Sequence, residues 1–339
     1  MKYLVLVMTI FATQFSNIYA IPEAEVTERF MSQLIPYVQN TYQQSYFWGT
    51  GRVKINYYSN QLQNPEGVII ISPGQSEASL KYAELLYDLK NLNYDIFIID
   101  HRGQGLSERL LDDPIKSHVE KFSYYVDDFS FFVNSIVQAK KYKKSFVLAH
   151  SMGGAIAAGF LTNHPNSVSA AILSAPMFEI NTGYIGNKTT EIIARLLDLG
   201  FSTSYAPSQR PYSSEVTFTG NIVSTSYPRY RLRKDLYNAI PALQVGGTSV
   251  NWLKESLIYT ENLRSLKNNF KVPVLLLQAG HDQFVWSQGQ NEVCEINNQR
   301  LCRIVRQGFE KSEHEILMEK DIIRNHALNL IETFILQTP

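Results

Sequence analysis

Cysteine is nearly absent. The chain has two in 339 residues, too few for a scaffold built on disulfides, and with no cysteine–histidine cluster for a metal. Excess charge of either sign is also missing. Lys plus Arg and Asp plus Glu stand at 31 each, so no net field draws the whole protein to nucleic acid or to an anionic membrane, and charge recognition must be local. Beyond the first twenty residues no apolar run is long enough to cross a bilayer. Repeats, low-complexity tracts and long linkers are lacking too, which excludes solenoids, fibres and disordered segments.

What remains is an ordinary globular composition, 45% hydrophobic and 18% charged. It suits one large domain, or one domain with an insertion. The opening "MKYLVLVMTIFATQFSNIYA" has one lysine, an apolar run from Tyr3 to Ala12 and Ala20 at its end. This is the plan of a secretory signal peptide, residues 1–20, and implies an exported protein, periplasmic or secreted, starting near Ile21. Ile18 is larger than the residue preferred three places before a cut, so an uncleaved anchor or a buried helix stays open. In an exported chain Cys294 and Cys302, with no histidine between them, are expected to pair; two buried thiols are the alternative.

Short apolar runs ending in small or polar turns recur: "GVIIISPG", "YDIFIIDHRGQG", "SFVLAHSMGG", "SAAILSAP", "VPVLLLQAGHD" and "LCRIVRQG". Runs apolar throughout suit strands buried on both faces, with intervening helices as crossovers, so the spacing predicts an α/β fold with a mostly parallel sheet. The rhythm breaks between about Met177 and Leu266, where helical patterns follow one another. We expect a core of residues 21–176 and 267–339, roofed by a helical cap of residues 177–266 beyond the carboxyl ends of the strands.

One stretch, "FVLAHSMGGAIAAGF", crowds small residues around Ser151. A serine at a sharp strand-to-helix turn needs small neighbours two places on either side, here Ala149 and Gly153, so that helix and strand can approach. A serine nucleophile needs a base, and the base an orienting acid, in the chain order Ser, Asp or Glu, His. His314, in a polar loop after the last strand, is expected to be the base, whereas His326 sits in a helical pattern. Asp282, leaving a strand end, is the expected acid, ahead of Asp198, Asp235 and Asp321. Donors for an oxyanion are expected from the N–H groups of Met152 and, in the loop "SPGQSEAS", of Gln75. No metal or organic cofactor is called for.

On these motifs, with "IIDHRGQGLSE", "HEILMEKD" and "VGGTSVNWLKES", the sequence from about Tyr46 onward resembles the α/β-hydrolases, in particular the bacterial lysophospholipase and monoacylglycerol lipase group. The resemblance implies a serine esterase acting through an acyl-enzyme on lipids with one acyl chain, lysophospholipids before monoacylglycerols. General esterases, a proline-type aminopeptidase and a non-catalytic binding protein on the same scaffold are the alternatives. Aromatic and aliphatic residues of the cap, among them Phe178, Tyr184, Ile185, Phe201, Tyr205, Phe218 and Trp252, could line an acyl tunnel or simply pack the cap. In "YPRYRLRKD", Arg229, Arg231, Arg233 and Lys234 form either a solvated basic face or contacts to a substrate phosphate, with Arg229 and Arg231 the named pair. The expected partners are a lipid ester and, through the cap, a membrane surface.

Overall fold

The computed structural model describes residues 18, 20–265, 270–296 and 301–339. Apart from Ile18 and Ala20, the expected leader lies outside the described residues.

The six apolar runs form parallel strands: β3 (Gly67–Ser72), β4 (Tyr94–Ile99), β5 (Ser145–His150), β6 (Ala170–Ser174), β7 (Val274–Leu277) and β8 (Cys302–Val305). Two strands with mixed patterns precede them, β1 (Gln43–Trp48) and β2 (Lys54–Asn60), giving an eight-stranded sheet in the order β1-β2-β4-β3-β5-β6-β7-β8. The β1–β2 and β2–β4 pairs are antiparallel and the rest parallel. Alternation of side chains explains why the central runs are apolar throughout. Ile69, Ile71, Ile96, Ile98, Phe146 and Leu148 pack on one face, and Val68, Ile70, Phe97, Ile99 and Val147 on the other.

The first face is covered by α1 (Glu23–Arg29), α2 (Ile35–Thr41), α3 (Ala83–Asp88) and the terminal helix Asp321–Gln337; the second by α4 (Ser123–Phe131), α5 (Met152–Asn163) and the helix Ser287–Ile296. Between β6 and β7 run α6 (Asn187–Phe201), α7 (Tyr227–Ala239) and α8 (Val250–Ser265); the helices after β7 and β8 are then α9 and α10. The last of the three inserted helices also belongs to the second face, since Trp252 and Leu263 join its core and the Tyr259 hydroxyl lies where a Cβ on Gly159 of α5 would sit. A disulfide joins Cys294 in α9 to Cys302 at the start of β8.

From β3 the chain moves to β4 on one side and to β5 on the other, so the crevice between the ends of β3 and β5 is a topological switch point, where ligands bind in open α/β sheets. Ser72 pairs with Ala149 there, which sets the loop after β3 beside the turn after β5.

Candidate active site

Ser151 sits at that turn with φ 51° and ψ −119°, a region that costs a non-glycine residue about 1–3 kcal/mol. The backbone holds it there: its N–H donates to the Ser174 carbonyl at 3.1 Å, and its own carbonyl accepts from the N–H groups of Gly154 (2.9 Å) and Met177 (2.9 Å). A Cβ at Gly153 would lie 2.1 Å from the Ser72 carbonyl oxygen and 2.5 Å from that of Pro73. Only glycine lets α5 approach β3 so closely, which is the requirement read from the sequence.

Two other strand ends supply the partners. The loop after β8 brings His314 to Ser151, with Nε2 and Oγ 2.8 Å apart, and the turn after β7 sets Asp282 Oδ2 2.7 Å from His314 Nδ1. A carboxylate only accepts, so Nδ1 carries the proton and Nε2 is left to accept from the serine hydroxyl. Asp282 Oδ1 in turn accepts from the backbone N–H groups of Phe284 (2.9 Å) and Val285 (3.0 Å). Ser151 and His314 are both buried. The alternatives weighed from sequence are engaged elsewhere: His326 Nε2 with the Gln307 carbonyl, Asp198 with Lys254, Asp235 with Arg231, and Asp321 with Arg229 and the N–H of Glu23.

Beside the serine, a Cβ on Gly74 would come within 3.2 Å of Ser151 Cβ. The peptides flanking Gln75 are clamped by groups the sequence reading passed over. Glu77 accepts from the Gly74 N–H (2.5 Å) and the Tyr82 hydroxyl (2.6 Å). Gln104 donates to the Gly74 carbonyl (2.7 Å) and accepts from the Ser76 N–H (3.2 Å). Lys81 bridges Glu77 and Glu315. Burial alone would raise the Glu77 carboxyl, but the Lys81 charge and hydrogen bonds from Lys81 and Tyr82 outweigh it and hold it below the usual carboxylate range. The i, i+4 spacing of Glu77 and Lys81 was the available cue, though spacing alone does not show that the pair is buried. Glu77, His150 and Glu315 come close enough together to resemble a metal site, but the Lys81 ammonium already bonds both carboxylates. Burial, and after it the proximity of His314, pushes His150 down, with Glu77 opposing. Its ring lies 4.8 Å from that of His314, so a neutral His150 does not oppose charge on His314.

Ser151, His314 and Gln75 line a cleft of about 460 Å³. It adjoins a second, of about 410 Å³ beneath α6, with shared walls at Ile180, Asn181, Gln209, Thr248 and Leu253. Of the cap residues named from sequence, Trp252 lines the first cleft and Ile185 the second, whereas Phe178 is sheet core and Tyr184 and Phe201 face solvent.

The expectation for Arg229 and Arg231 is corrected. Arg229 is wholly buried away from the cleft, bonded to Glu84, Asp321 and the carbonyls of Ile21 and Glu319. It ties α7 to α3, α10 and the start of α1. Arg231 is exposed and paired with Asp235 at 3.0 Å. The same helix instead turns Arg233 and Lys234 into the cleft.

A strained serine at the switch point of such a sheet, hydrogen-bonded to a histidine that is itself bonded to an aspartate, defines the α/β-hydrolase class. Within that class, residues 63–321 match the family described as serine aminopeptidase, S33, and the chain belongs to this family. It is 35% identical to lysophospholipase L2 of Escherichia coli K12 over 297 residues, covering 85% of this chain and 86% of that one. It is 28% identical to the monoglyceride lipase of Rattus norvegicus over 271 residues, covering 80% and 82%. A soluble variant of the Saccharomyces cerevisiae monoglyceride lipase, solved with a substrate analog, shares the fold at TM-score 0.70 and 19% identity, over 89% of this chain and 96% of that one.

Proposed function

We propose that the protein hydrolyses esters of single-acyl lipids, lysophospholipids first and monoacylglycerols second. Ser151 Oγ attacks the ester carbonyl as His314 Nε2 takes its proton. The Asp282 carboxylate holds the imidazolium, and the N–H groups of Gln75 and Met152 receive the oxyanion. His314 then passes its proton to the leaving alcohol. A water molecule, deprotonated by the same nitrogen, releases the fatty acid from the acyl-enzyme and regenerates the serine.

The observation that carries this reading is the serine–histidine–aspartate chain opening on a cleft that adjoins a mostly apolar cavity beneath α6. The relatives named for lysophospholipids and monoglycerides support it. An aminopeptidase needs a free carboxylate for the substrate ammonium. The acids lining this cleft, Glu77 and Glu315, are both bound by Lys81, and Arg210, Arg233 and Lys234 share the wall.

Purified protein tested on matched acyl chains should cleave lysophospholipid fastest, monoacylglycerol next, and diacyl phospholipid or triglyceride little. Preference for aminoacyl amides over every lipid ester would overturn the proposal.

We also propose peripheral contact of the cap with a lipid surface. Tyr184, Ile192, Leu196, Leu199 and Phe201 are exposed on α6 and the turn before it, while Ile193 and Leu197 of the same helix line the second cleft. An apolar outer face over an apolar channel suits a helix lying in a membrane interface. Leu196→Asp with Leu199→Asp should weaken vesicle binding and lower activity on vesicle-borne substrate, with hydrolysis of a water-soluble short ester unchanged. Undiminished vesicle binding in that variant would refute the contact.

A further inference from the structure

The cleft holds a cation without a counterion. Arg233 of α7 lines its wall. The guanidinium carbon lies 5.3 Å from the centre of the Tyr237 ring, whose hydroxyl donates to the Ser76 carbonyl at 3.0 Å, one residue beyond Gln75. Arg233 Nε is buried and has no hydrogen-bond partner. Among the described residues Arg233 forms no ion pair, although Arg229 and Arg231 on the same helix are both paired. Burying part of a guanidinium is costly; the Tyr237 ring and the more distant charges of Glu315 and Glu77 favour the cation, but among the described residues no acid bonds it directly.

The charges around it favour an anion. Glu77 and Glu315 act on Arg233 from across the cleft, but both are bonded to Lys81. Lys234, beside Arg233, donates to the Ser213 carbonyl and lies 4.7 Å from the centre of the Tyr212 ring, with no acidic partner among the described residues. Arg210 is exposed at the same wall. The cations line the first cleft only and are absent from the walls of the second cavity beneath α6. A substrate whose acyl chain occupies that second cavity and whose ester meets Ser151 can place its head group in the first cleft, which Arg233 and Lys234 of α7 line.

We propose that Arg233, with Lys234 beside it, binds the phosphate of the substrate head group, its planar fork taking two phosphate oxygens. This rests on the reading of the protein as a hydrolase of single-acyl lipids and adds the element that sets lysophospholipid above monoacylglycerol.

The test compares Arg233→Met and Arg233→Lys with the parent on a lysophosphatidylethanolamine and a monoacylglycerol of one acyl chain. Arg233→Met should lower kcat/KM for the lysophospholipid by about 10- to 100-fold, mainly through KM. It should leave the monoacylglycerol nearly unchanged, and Arg233→Lys should recover part of the loss. Glycerol 3-phosphate should inhibit monoacylglycerol hydrolysis by the parent and not by Arg233→Met. Equal losses on both substrates would mean that Arg233 only supports the fold, and would overturn the proposal. So would inorganic phosphate inhibiting as well as glycerol 3-phosphate, which would mark a site for free anion. A parent enzyme that cleaves monoacylglycerol but ignores lysophospholipid also overturns the phosphate site while the lipase reading stands; one that cleaves neither overturns both.

Discussion

Ser151→Ala is expected to leave the protein folded and to lower kcat by a factor on the order of 10⁶, because nucleophile and base act as one unit. Alanine meets nearly the same backbone penalty as serine at φ 51°, so the strain of the turn is little changed. The hydrogen bonds that hold the turn are made by the main chain of Ser151 to Ser174, Gly154 and Met177, and these survive. What disappears is the hydroxyl 2.8 Å from His314 Nε2, the atom that would carry the acyl group. Activity left over would come from substrate binding and the oxyanion donors alone. Two measurements check this: single-turnover kinetics on an activated ester, and covalent labelling by a fluorophosphonate. The variant should show neither an acyl burst nor a label while its thermal midpoint stays near that of the parent. Substantial turnover from a folded Ser151→Ala protein would remove Ser151 from the mechanism.

The parts of this site visible in sequence are those whose constraint is local. The serine turn needs small residues at fixed offsets, so Ala149 and Gly153 announce it. Strands buried on both faces are apolar throughout, and β3 to β8 stand out for that reason. β1 and β2 do not, because an antiparallel pair at the sheet edge is exposed in part and mixes Gln, Tyr, Ser and Lys with its apolar residues. The cations of α7 show the limit most clearly. Arg229, Arg231 and Arg233 read alike in a basic run, yet their roles depend on acids far away in the chain. Arg229 meets Glu84 and Asp321, which are 145 and 92 residues distant. Arg231 finds Asp235 one turn along its own helix, and Arg233 is left facing the cleft. Spacing reports which face of a helix a residue occupies; it does not report what stands opposite. The clamp on the loop after β3 was hidden in the same way, since Gln104 comes from the loop after β4 and reaches Gly74 and Ser76 only in the folded chain.

Asp282→Asn is the second large effect, a loss in kcat on the order of 10⁴-fold, and the structure gives it a specific cause. Asp282 Oδ1 accepts two backbone N–H groups, from Phe284 and Val285. An asparagine there must keep its carbonyl oxygen toward those donors, because its amide nitrogen would oppose them. The amide NH₂ is then forced toward His314 Nδ1, where Asp282 Oδ2 now lies at 2.7 Å. Facing a donor, Nδ1 must accept, so the imidazole proton moves to Nε2 and the nitrogen nearest Ser151 can no longer take the serine proton. The side chain remains nearly isosteric and both backbone hydrogen bonds persist, so the fold should hold. The losses should appear in kcat for acylation and deacylation alike, since in the proposed mechanism His314 is the base in both steps. A water-soluble ester measured under single-turnover and steady-state conditions separates those steps. Asp282→Ala provides the control: with no amide to impose the wrong tautomer, part of the population keeps the proton on Nδ1, and its deficit should be no larger than that of Asp282→Asn. Near-normal kinetics in the asparagine variant would move the orienting acid to another residue, and a deeper loss in the alanine variant would show that the side chain's hold on the Phe284 and Val285 N–H groups and on the imidazole outweighs the tautomer effect.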